Sequence, residues 1–187
     1  MKTYLKICAI ILGIIALQSF KQQDHRQDFI QKAIMSNRFE IALAEQAINK
    51  SDNVALQELG RKLVEDHQKN LSELEAYANA NELSFPKELD EEHQGKLESF
   101  ATLDKGAYDR SFKEAIVGSH EQSIALYEGI AEESLIEDEE LKKWVSEKLP
   151  SLRSHLDRSK SLSLDTSTVM PRTFPPITDS ITEKFQK

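Results

Sequence analysis

Cysteine, glycine and proline are scarce in this sequence. Its 187 residues include one cysteine, six glycines and five prolines. The cysteine, Cys8, lies inside an apolar run near the N-terminus, so the rest of the chain can form neither a disulfide nor a thiolate metal site. Runs of β-branched residues are also absent, and apolar residues recur at intervals of three and four rather than two. The sequence therefore predicts an all-α protein that is stabilised by helix packing.

Basic residues are outnumbered by acidic ones. Lys and Arg number 24 against 32 Asp and Glu, which is a formal net charge of −8 at pH 7. Residues 1–19 contain two lysines and no acid, so without them the balance is 22 against 32 and the net charge is −10. Nucleic acids and anionic lipid surfaces attract basic protein surfaces. We therefore expect no nucleic-acid partner and no electrostatic docking to a membrane.

The N-terminal residues have the pattern of a secretory signal. Lys2 and Lys6 precede an apolar run over 7–17, which is well short of the ~20 residues that cross a bilayer. We predict a signal peptide over 1–19, cut within 16–20, and a linker over 20–27; an uncleaved anchor is the alternative. No second apolar segment follows, so no transmembrane span is expected after signal removal. The protein is predicted to be exported and periplasmic or envelope-associated.

The remaining sequence has the apolar periodicity of one helical domain over 28–162. Four long helices and a short one are predicted, at about 28–50, 53–81, 88–101 (the short one), 107–134 and 137–162. Pro150 lies inside the last of them and is expected to kink it. From residue 163 onward Ser, Thr and Pro accumulate, which is typical of a disordered tail over 163–187.

The lengths of the connections predict the topology. The first two long helices are joined tightly, as are the last two, so each pair is expected to be an antiparallel hairpin. About 25 residues join the pairs, enough to return along the whole length of the helices. One long crossover is the pattern of ferritin-like bundles. The predicted fold is a ferritin-like antiparallel four-helix bundle whose long crossover carries the short helix.

Four sequence blocks carry a resemblance to a known family. They are NRFEIALA at 37–44, LVEDHQKN at 63–70, a block from Tyr108-Asp109 to VGSH at 117–120, and LPSLRSHL at 149–156. In this order they resemble the exported bacterial proteins grouped as domain-of-unknown-function family 4142, often labelled outer membrane proteins and regarded as ferritin-like. The resemblance covers about 28–162. It implies a ferritin-like fold and an envelope location, and it implies no activity, catalytic residue or ligand.

Three of the five histidines fall on the apolar stripes of three different helices. If the turns near residues 51 and 136 lie at one end of the bundle, His67 and His120 are each 16 residues from that end and His155 is 19. At ~1.5 Å per residue, all three are expected within roughly 5 Å of one level. Glu40 is 11 residues from the turn, one to two turns higher. Asn37 is nearer in height but is a poor ligand.

Two interpretations of this cluster stay open. Three neutral imidazoles and the Glu40 carboxylate would suit a divalent transition metal such as Zn, Cu, Ni or Fe, with Glu65 and Asp66 as acceptors that orient a ring. The ferritin-like di-iron site needs Glu-x-x-His on two helices, and that motif is absent. Alternatively, the histidines form a structural polar layer that fixes helix register without a metal.

The sequence predicts a fold but no specific activity. No nucleophile–base arrangement, phosphate loop or basic–aromatic patch is present, so no catalytic residue is assigned. The favoured hypothesis is a non-enzymatic envelope protein that binds an unknown partner or associates with itself. The alternative is a ferritin-like metal-binding or redox protein that uses His67, His120, His155 and Glu40.

Overall fold

The structure is a computed structural model that describes residues 2–132 and 137–164, with side chains from residue 25 onward. These residues form five α-helices and no strand: α1 Lys2–Lys50, α2 Val54–Ala80, α3 Glu91–Thr102, α4 Lys105–Glu132 and α5 Glu139–Ser161. The predicted all-α class is confirmed. None of the described helices contains an apolar stretch long enough to cross a membrane.

The helix boundaries differ from the predicted ones mainly at the N-terminus. Helix α1 begins at Lys2 and continues without a break through 20–27, which the sequence predicted as a linker. Residues 20–27 contain no glycine or proline and include Lys, Gln and Arg, which favour helix. Removal of residues 1–19 stays a prediction, and the predicted tail beyond residue 164 lies outside the described residues.

Short polar side chains begin the later helices. Asn53 accepts a hydrogen bond from the Leu56 amide at the start of α2, and Asp90 does the same for His93 at α3. Asp138 accepts one from the Leu141 amide at α5. Such N-caps satisfy amide donors that have no partner inside the helix. The cap at Asp90 explains why α3 begins at Glu91 rather than at the predicted residue 88.

Polar contacts at the helix ends show the direction of each helix. The Asp138 carboxylate at the start of α5 accepts hydrogen bonds from Arg26 of α1 at 2.8 Å and from Tyr77 near the end of α2 at 2.6 Å. At the other end of the molecule, Asn53 before α2 donates to the Ser163 carbonyl beyond α5 at 2.9 Å. Helix α2 is therefore antiparallel to both α1 and α5. The α1–α2 turn and the start of α5 lie at opposite ends.

The two turns do not lie at one end of the bundle, so the arrangement from which the histidine heights were predicted was wrong. The connection between α2 and α4 returns along α1: Arg38 donates to the Pro86 carbonyl at 3.2 Å and Gln46 to the Leu97 carbonyl at 3.2 Å. A chain that returns in this way enters α4 beside the α1–α2 turn, so the next turn is at the far end. The predicted common level of the histidines survives because His67 and His120 each lie near the middle of a long helix.

The core has two apolar parts and a polar layer between them. One part is built around Phe29, Leu74 and Tyr127, and the other around Leu43, Leu63 and Phe112. On each of the helices α1, α2, α4 and α5, buried polar residues separate the two parts in sequence. We call this set the polar layer; its residues are Asn37, Glu40, His67, Asn70, His120, Ser123, His155 and Ser159.

Helices α1 and α2 approach closely at Gly60. A Cβ atom at this position would lie 3.0 Å from Ile48 Cγ1 and 3.2 Å from the Ala44 carbonyl oxygen, both on α1. These distances are tighter than ordinary packing allows, so a larger side chain would push the two helices apart. The glycine therefore keeps α2, which carries His67, close to α1, which carries Glu40.

Candidate metal centre

Three histidine rings meet inside the polar layer. The ring centroids are 5.4 Å apart for His67 and His120, 5.6 Å for His67 and His155, and 5.4 Å for His120 and His155. None of the three residues is more than 2% exposed. One ring nitrogen from each lies within 4.8 Å of those of the other two. The structure thus brings together the three histidines that the sequence singled out.

Each ring is anchored by one of its nitrogens. His67 Nδ1 lies 2.9 Å from Asn37 Oδ1, and His120 Nδ1 lies 2.9 Å from the Ile116 carbonyl oxygen. His155 Nε2 lies 2.8 Å from Asp66 Oδ2. All three partners are oxygen acceptors, so the anchored nitrogens donate. The other nitrogen of each neutral ring then carries a lone pair.

These other nitrogens have no hydrogen-bond partner. They are His67 Nε2, His120 Nε2 and His155 Nδ1, and all are buried. Glu40 Oε2, also buried, lacks a hydrogen-bond partner as well. A buried acceptor without a donor costs free energy, and native proteins contain few of them. Four such acceptors in one layer are a set of atoms that a cation would satisfy.

Glu40 is fully buried, and one of its two carboxylate oxygens accepts hydrogen bonds. Its Oε1 accepts hydrogen bonds from Ser36 at 3.1 Å and from Ser119 at 2.5 Å. Its Oε2 lies 2.9 Å from His67 Nε2 and 3.5 Å from His120 Nδ1. Because neutral His67 donates from Nδ1 to Asn37, it has no proton at Nε2, and the 2.9 Å contact joins two acceptor atoms. The carboxylate lies beside two of the three histidines.

Opposing effects act on the Glu40 charge. Burial raises the pKa of this carboxyl, whereas His67 and His120 in their protonated form, together with hydrogen bonds from His67 and Ser119, lower it well below its usual range. Hydrogen bonds and positive charges favour the ionised form. Glu40 is therefore an anion when a positive charge lies beside it, and a bound cation would supply that charge while the imidazoles stay neutral.

His155 is hydrogen-bonded to a partly exposed carboxylate. Its partner Asp66 is 22% exposed and also pairs with Lys62 at 2.8 Å. Burial and the charge of His67 lower the pKa of His155 to about 4, although the hydrogen bond to Asp66 acts in the other direction. His155 is thus neutral at pH 7, which is the form that binds a metal.

This shifted pKa predicts how stability depends on pH without metal. Unfolded His155 takes up a proton near pH 6.5, whereas the folded residue resists protonation down to about pH 4. The stabilisation is complete above pH 6.5 and is lost as the pH falls toward 4, by up to about 3–4 kcal/mol at about 1.4 kcal/mol per pH unit. Urea denaturation at several pH values in a chelator measures it. In His155→Gln this part of the dependence should disappear, and an equal slope in the variant would contradict the assignment.

The nitrogen spacing bears on whether a metal fits. The candidate metal-binding nitrogens of the three histidines are up to 4.8 Å apart. In a tetrahedral site with metal–ligand distances of ~2.0 Å, the ligand atoms are ~3.3 Å apart. The longest separation would therefore shorten by about 1.5 Å on binding. Rotation of side chains around an anchored nitrogen can supply such a movement. The unpartnered atoms and the ligand types both fit a nitrogen-preferring ion.

Several contacts around the cluster were not predicted. Asn37, dismissed from the sequence as a poor ligand, instead holds the His67 ring. Asp66 orients His155 as predicted, whereas Glu65 is exposed and contacts Lys62. Ser36 and Ser119 were missed, although Ser36 lies four residues before Glu40 and therefore on the same face of α1. Small hydroxyl side chains give no periodic signal in a sequence.

Solved structures with a similar fold include those of CopM. CopM in the Cu(I)-bound form is 20% identical, with a TM-score of 0.60, and covers 72% of this chain and 92% of its own. The Cu(II)-bound form is 18% identical, with a TM-score of 0.57, and covers 72% and 93%. The Ag-bound form obtained by co-crystallization is 20% identical, with a TM-score of 0.59, and covers 72% and 92%. At these identities the likeness concerns the fold.

The sequence comparisons point to one family. No curated protein matches the chain significantly. The model of DUF4142, a domain of unknown function, matches residues 16–162. The chain therefore belongs to the DUF4142 family, and the resemblance expected from the four sequence blocks is confirmed at the level of the family.

Proposed function

We propose that this DUF4142 protein binds one transition-metal ion, with a preference for copper, through His67, His120 and His155 together with Glu40. The observation that carries the proposal is the set of four buried acceptor atoms without hydrogen-bond partners. Burying three lone pairs and one negative charge without partners destabilises the folded state, and a bound cation would remove this cost. A purely structural histidine layer would instead be expected to pair its donors with its acceptors.

The anchors of the three rings support the same proposal. Metal-binding histidines almost always donate their second N–H to a carboxylate or a carbonyl, which orients the ring and makes the free nitrogen more basic. Here Asp66, the Ile116 carbonyl and Asn37 are the acceptors. The rings therefore need no change of tautomer to receive an ion.

The ligand types narrow the choice of metal. Imidazole nitrogen suits Zn, Cu, Ni and Fe, and among divalent ions Cu²⁺ binds a given site most tightly. A carboxylate favours a divalent over a monovalent ion because it contributes a full charge. CopM, solved in Cu(I)-bound, Cu(II)-bound and Ag-bound forms, is consistent with copper for this fold.

The mode of action proposed is binding rather than catalysis. A site closed by four protein ligands leaves no open position for a substrate, whereas catalytic metal sites keep one. We place the site at the middle of a ferritin-like four-helix bundle and the protein outside the cytoplasm, as the N-terminal signal pattern predicts. The role would be to hold or transfer metal in the cell envelope.

Partner binding, the hypothesis favoured from the sequence, has less support. Among the described side chains the one exposed large apolar residue is Val54. A stable protein interface normally has a contiguous apolar patch. The metal-binding alternative therefore replaces it as the leading hypothesis.

Metal content tests the proposal directly. Untagged protein is loaded with Cu²⁺, dialysed against a weak chelator and analysed by mass spectrometry for copper per chain. We expect about one equivalent, and close to none for the triple-glutamine variant His67→Gln, His120→Gln, His155→Gln. The double variant His25→Ala, His93→Ala removes the other two histidines and should retain the metal. Copper retained by the triple-glutamine variant, or absent from the wild type, would overturn the proposal.

A further inference from the structure

A groove runs along the surface beside the polar layer. It has a volume of about 970 Å³ and lies between α1, α4 and the connection that carries α3. Ser36 and Met35 of α1 line it, as do Gly118 and Ser119 of α4. Two of these lining residues, Ser36 and Ser119, contact Glu40.

One layer of hydroxyl groups separates the groove from Glu40. Ser36 and Ser119 are partly exposed, and both donate to Glu40 Oε1. The hydroxyl oxygens of Ser36 and Ser123 are 3.1 Å apart, so they too are in contact. Beyond Oε1, the other carboxylate oxygen faces His67 and His120. A line from the groove to the histidines thus passes hydroxyl oxygen, carboxylate oxygen and imidazole nitrogen in turn.

The opposite face offers a less favourable approach. There Asp66 lies over His155, but its other oxygen is paired with Lys62 at 2.8 Å. An approaching cation would meet the ammonium group and would have to displace it. Like charges at such a distance repel, and the repulsion is strongest where the site is partly buried. Lys32 and Lys96 also line the groove, but they pair with Asp28 and Glu92. Among the described side chains, no cationic group is hydrogen-bonded to Ser36 or Ser119.

We propose that the metal ion enters and leaves the histidine cluster through this groove, passing Ser36 and Ser119 and using Glu40 as its first anionic ligand. The inference rests on the proposed metal-binding function and adds a route to it. Glu40 Oε1 faces the hydroxyl groups and Oε2 faces the imidazoles. The carboxylate can therefore pass the ion from the hydroxyl groups to the histidines. Ser36 and Ser119 act as positioning residues that keep the carboxylate in this orientation.

Gly118 allows the route to be blocked without touching a ligand. A Cβ atom added at Gly118 would meet nothing within 4 Å, and the same is true of Gly129 on the same helix, which does not line the groove. Gly118→Phe should fill the groove, and Gly129→Phe is the matched control. Both substitutions replace a helical glycine, so both are expected to leave α4 intact.

The measurement is the rate of Cu²⁺ binding and release. Stopped-flow quenching of the single tryptophan, Trp144, follows binding, and excess EDTA follows release; signals of the triple-glutamine variant are subtracted. A blocked route slows both rates by the same factor, so we expect Gly118→Phe to slow both at least tenfold and to leave the Kd within twofold. Gly129→Phe should match the wild type.

Other outcomes separate the two proposals. If the wild type and the triple-glutamine variant respond alike to Cu²⁺, the metal-binding function fails. If the wild type binds but Gly118→Phe loads as fast as Gly129→Phe, the route through the groove is wrong and the function stands. Faster loading in Lys62→Ala, with no effect of Gly118→Phe, would assign the route to the Asp66 face.

Discussion

Saturating Cu²⁺ is expected to raise the melting temperature of the wild-type protein by about 8–16 °C. A ligand that binds the folded state at a free concentration 1,000 times its Kd stabilises that state by about 4 kcal/mol. For a chain of this size each kcal/mol shifts the melting temperature by roughly 2–4 °C. The stabilisation has a clear source, because the ion satisfies four buried acceptors that otherwise lack partners. Differential scanning calorimetry with and without Cu²⁺ measures the shift.

The triple-glutamine variant provides the matched comparison. Glutamine is close in size to histidine, so the variant should fold, and its melting temperature should not respond to Cu²⁺. Mg²⁺, which prefers oxygen ligands in octahedral geometry, should leave the wild type unchanged. An equal shift in the variant would place the copper at surface carboxylates instead, of which this acidic chain has many.

Glu40→Gln is expected to weaken Cu²⁺ binding by about 100-fold or more while the metal-free protein stays folded. The substitution preserves shape and the hydrogen bonds at Oε1, but it removes the one fully buried carboxylate beside the imidazoles among the described side chains. Changes to groups that merely orient a ligand already cost 10–100-fold in metal affinity, so loss of a ligand charge should cost at least as much. Competition with a chelator of known affinity measures the Kd.

Glu45→Gln is the matched control for this prediction. Glu45 lies on the same helix and is exposed, so its neutralisation removes the same charge without touching the cluster. Its Kd should stay close to that of the wild type, since an exposed charge is screened by water and salt. Equal effects of the two substitutions would mean that general negative charge, rather than Glu40 itself, attracts the metal.

Much of the candidate site could be predicted from periodicity. His67, His120 and His155 interrupt apolar stripes, and a polar residue on such a stripe must face the core of a helical fold. Their predicted common level rested on an incorrect arrangement of the turns. It still held for His67 and His120, because each lies near the middle of its helix and is about equally far from both ends. Glu40 was expected one to two turns away in height, yet its long side chain reaches within 2.9 Å of His67.

The sequence could not predict contacts that depend on differences of a few ångströms in the relative position of two helices. Ser36 on α1 and Ser119 on α4 are 83 positions apart, and only their packing directs both hydroxyls to one oxygen of Glu40. The same is true of Asp66 and His155, which are 89 positions apart. Hydrogen bonds of this kind require alignment between side chains on separate helices, and apolar spacing carries no information about it.

The amino-acid sequence alone was sufficient for the helical class, the family and the identity of the buried histidines, because each of these depends on local residue patterns. Tertiary structure decided which ring nitrogens are anchored and which are left without partners, how Glu40 is turned, and where a groove brings solvent near it. These properties arise from the relative placement of α1, α2, α4 and α5. That placement is set by close packing at positions such as Gly60 and by polar contacts at the helix ends, which act between residues far apart in the chain.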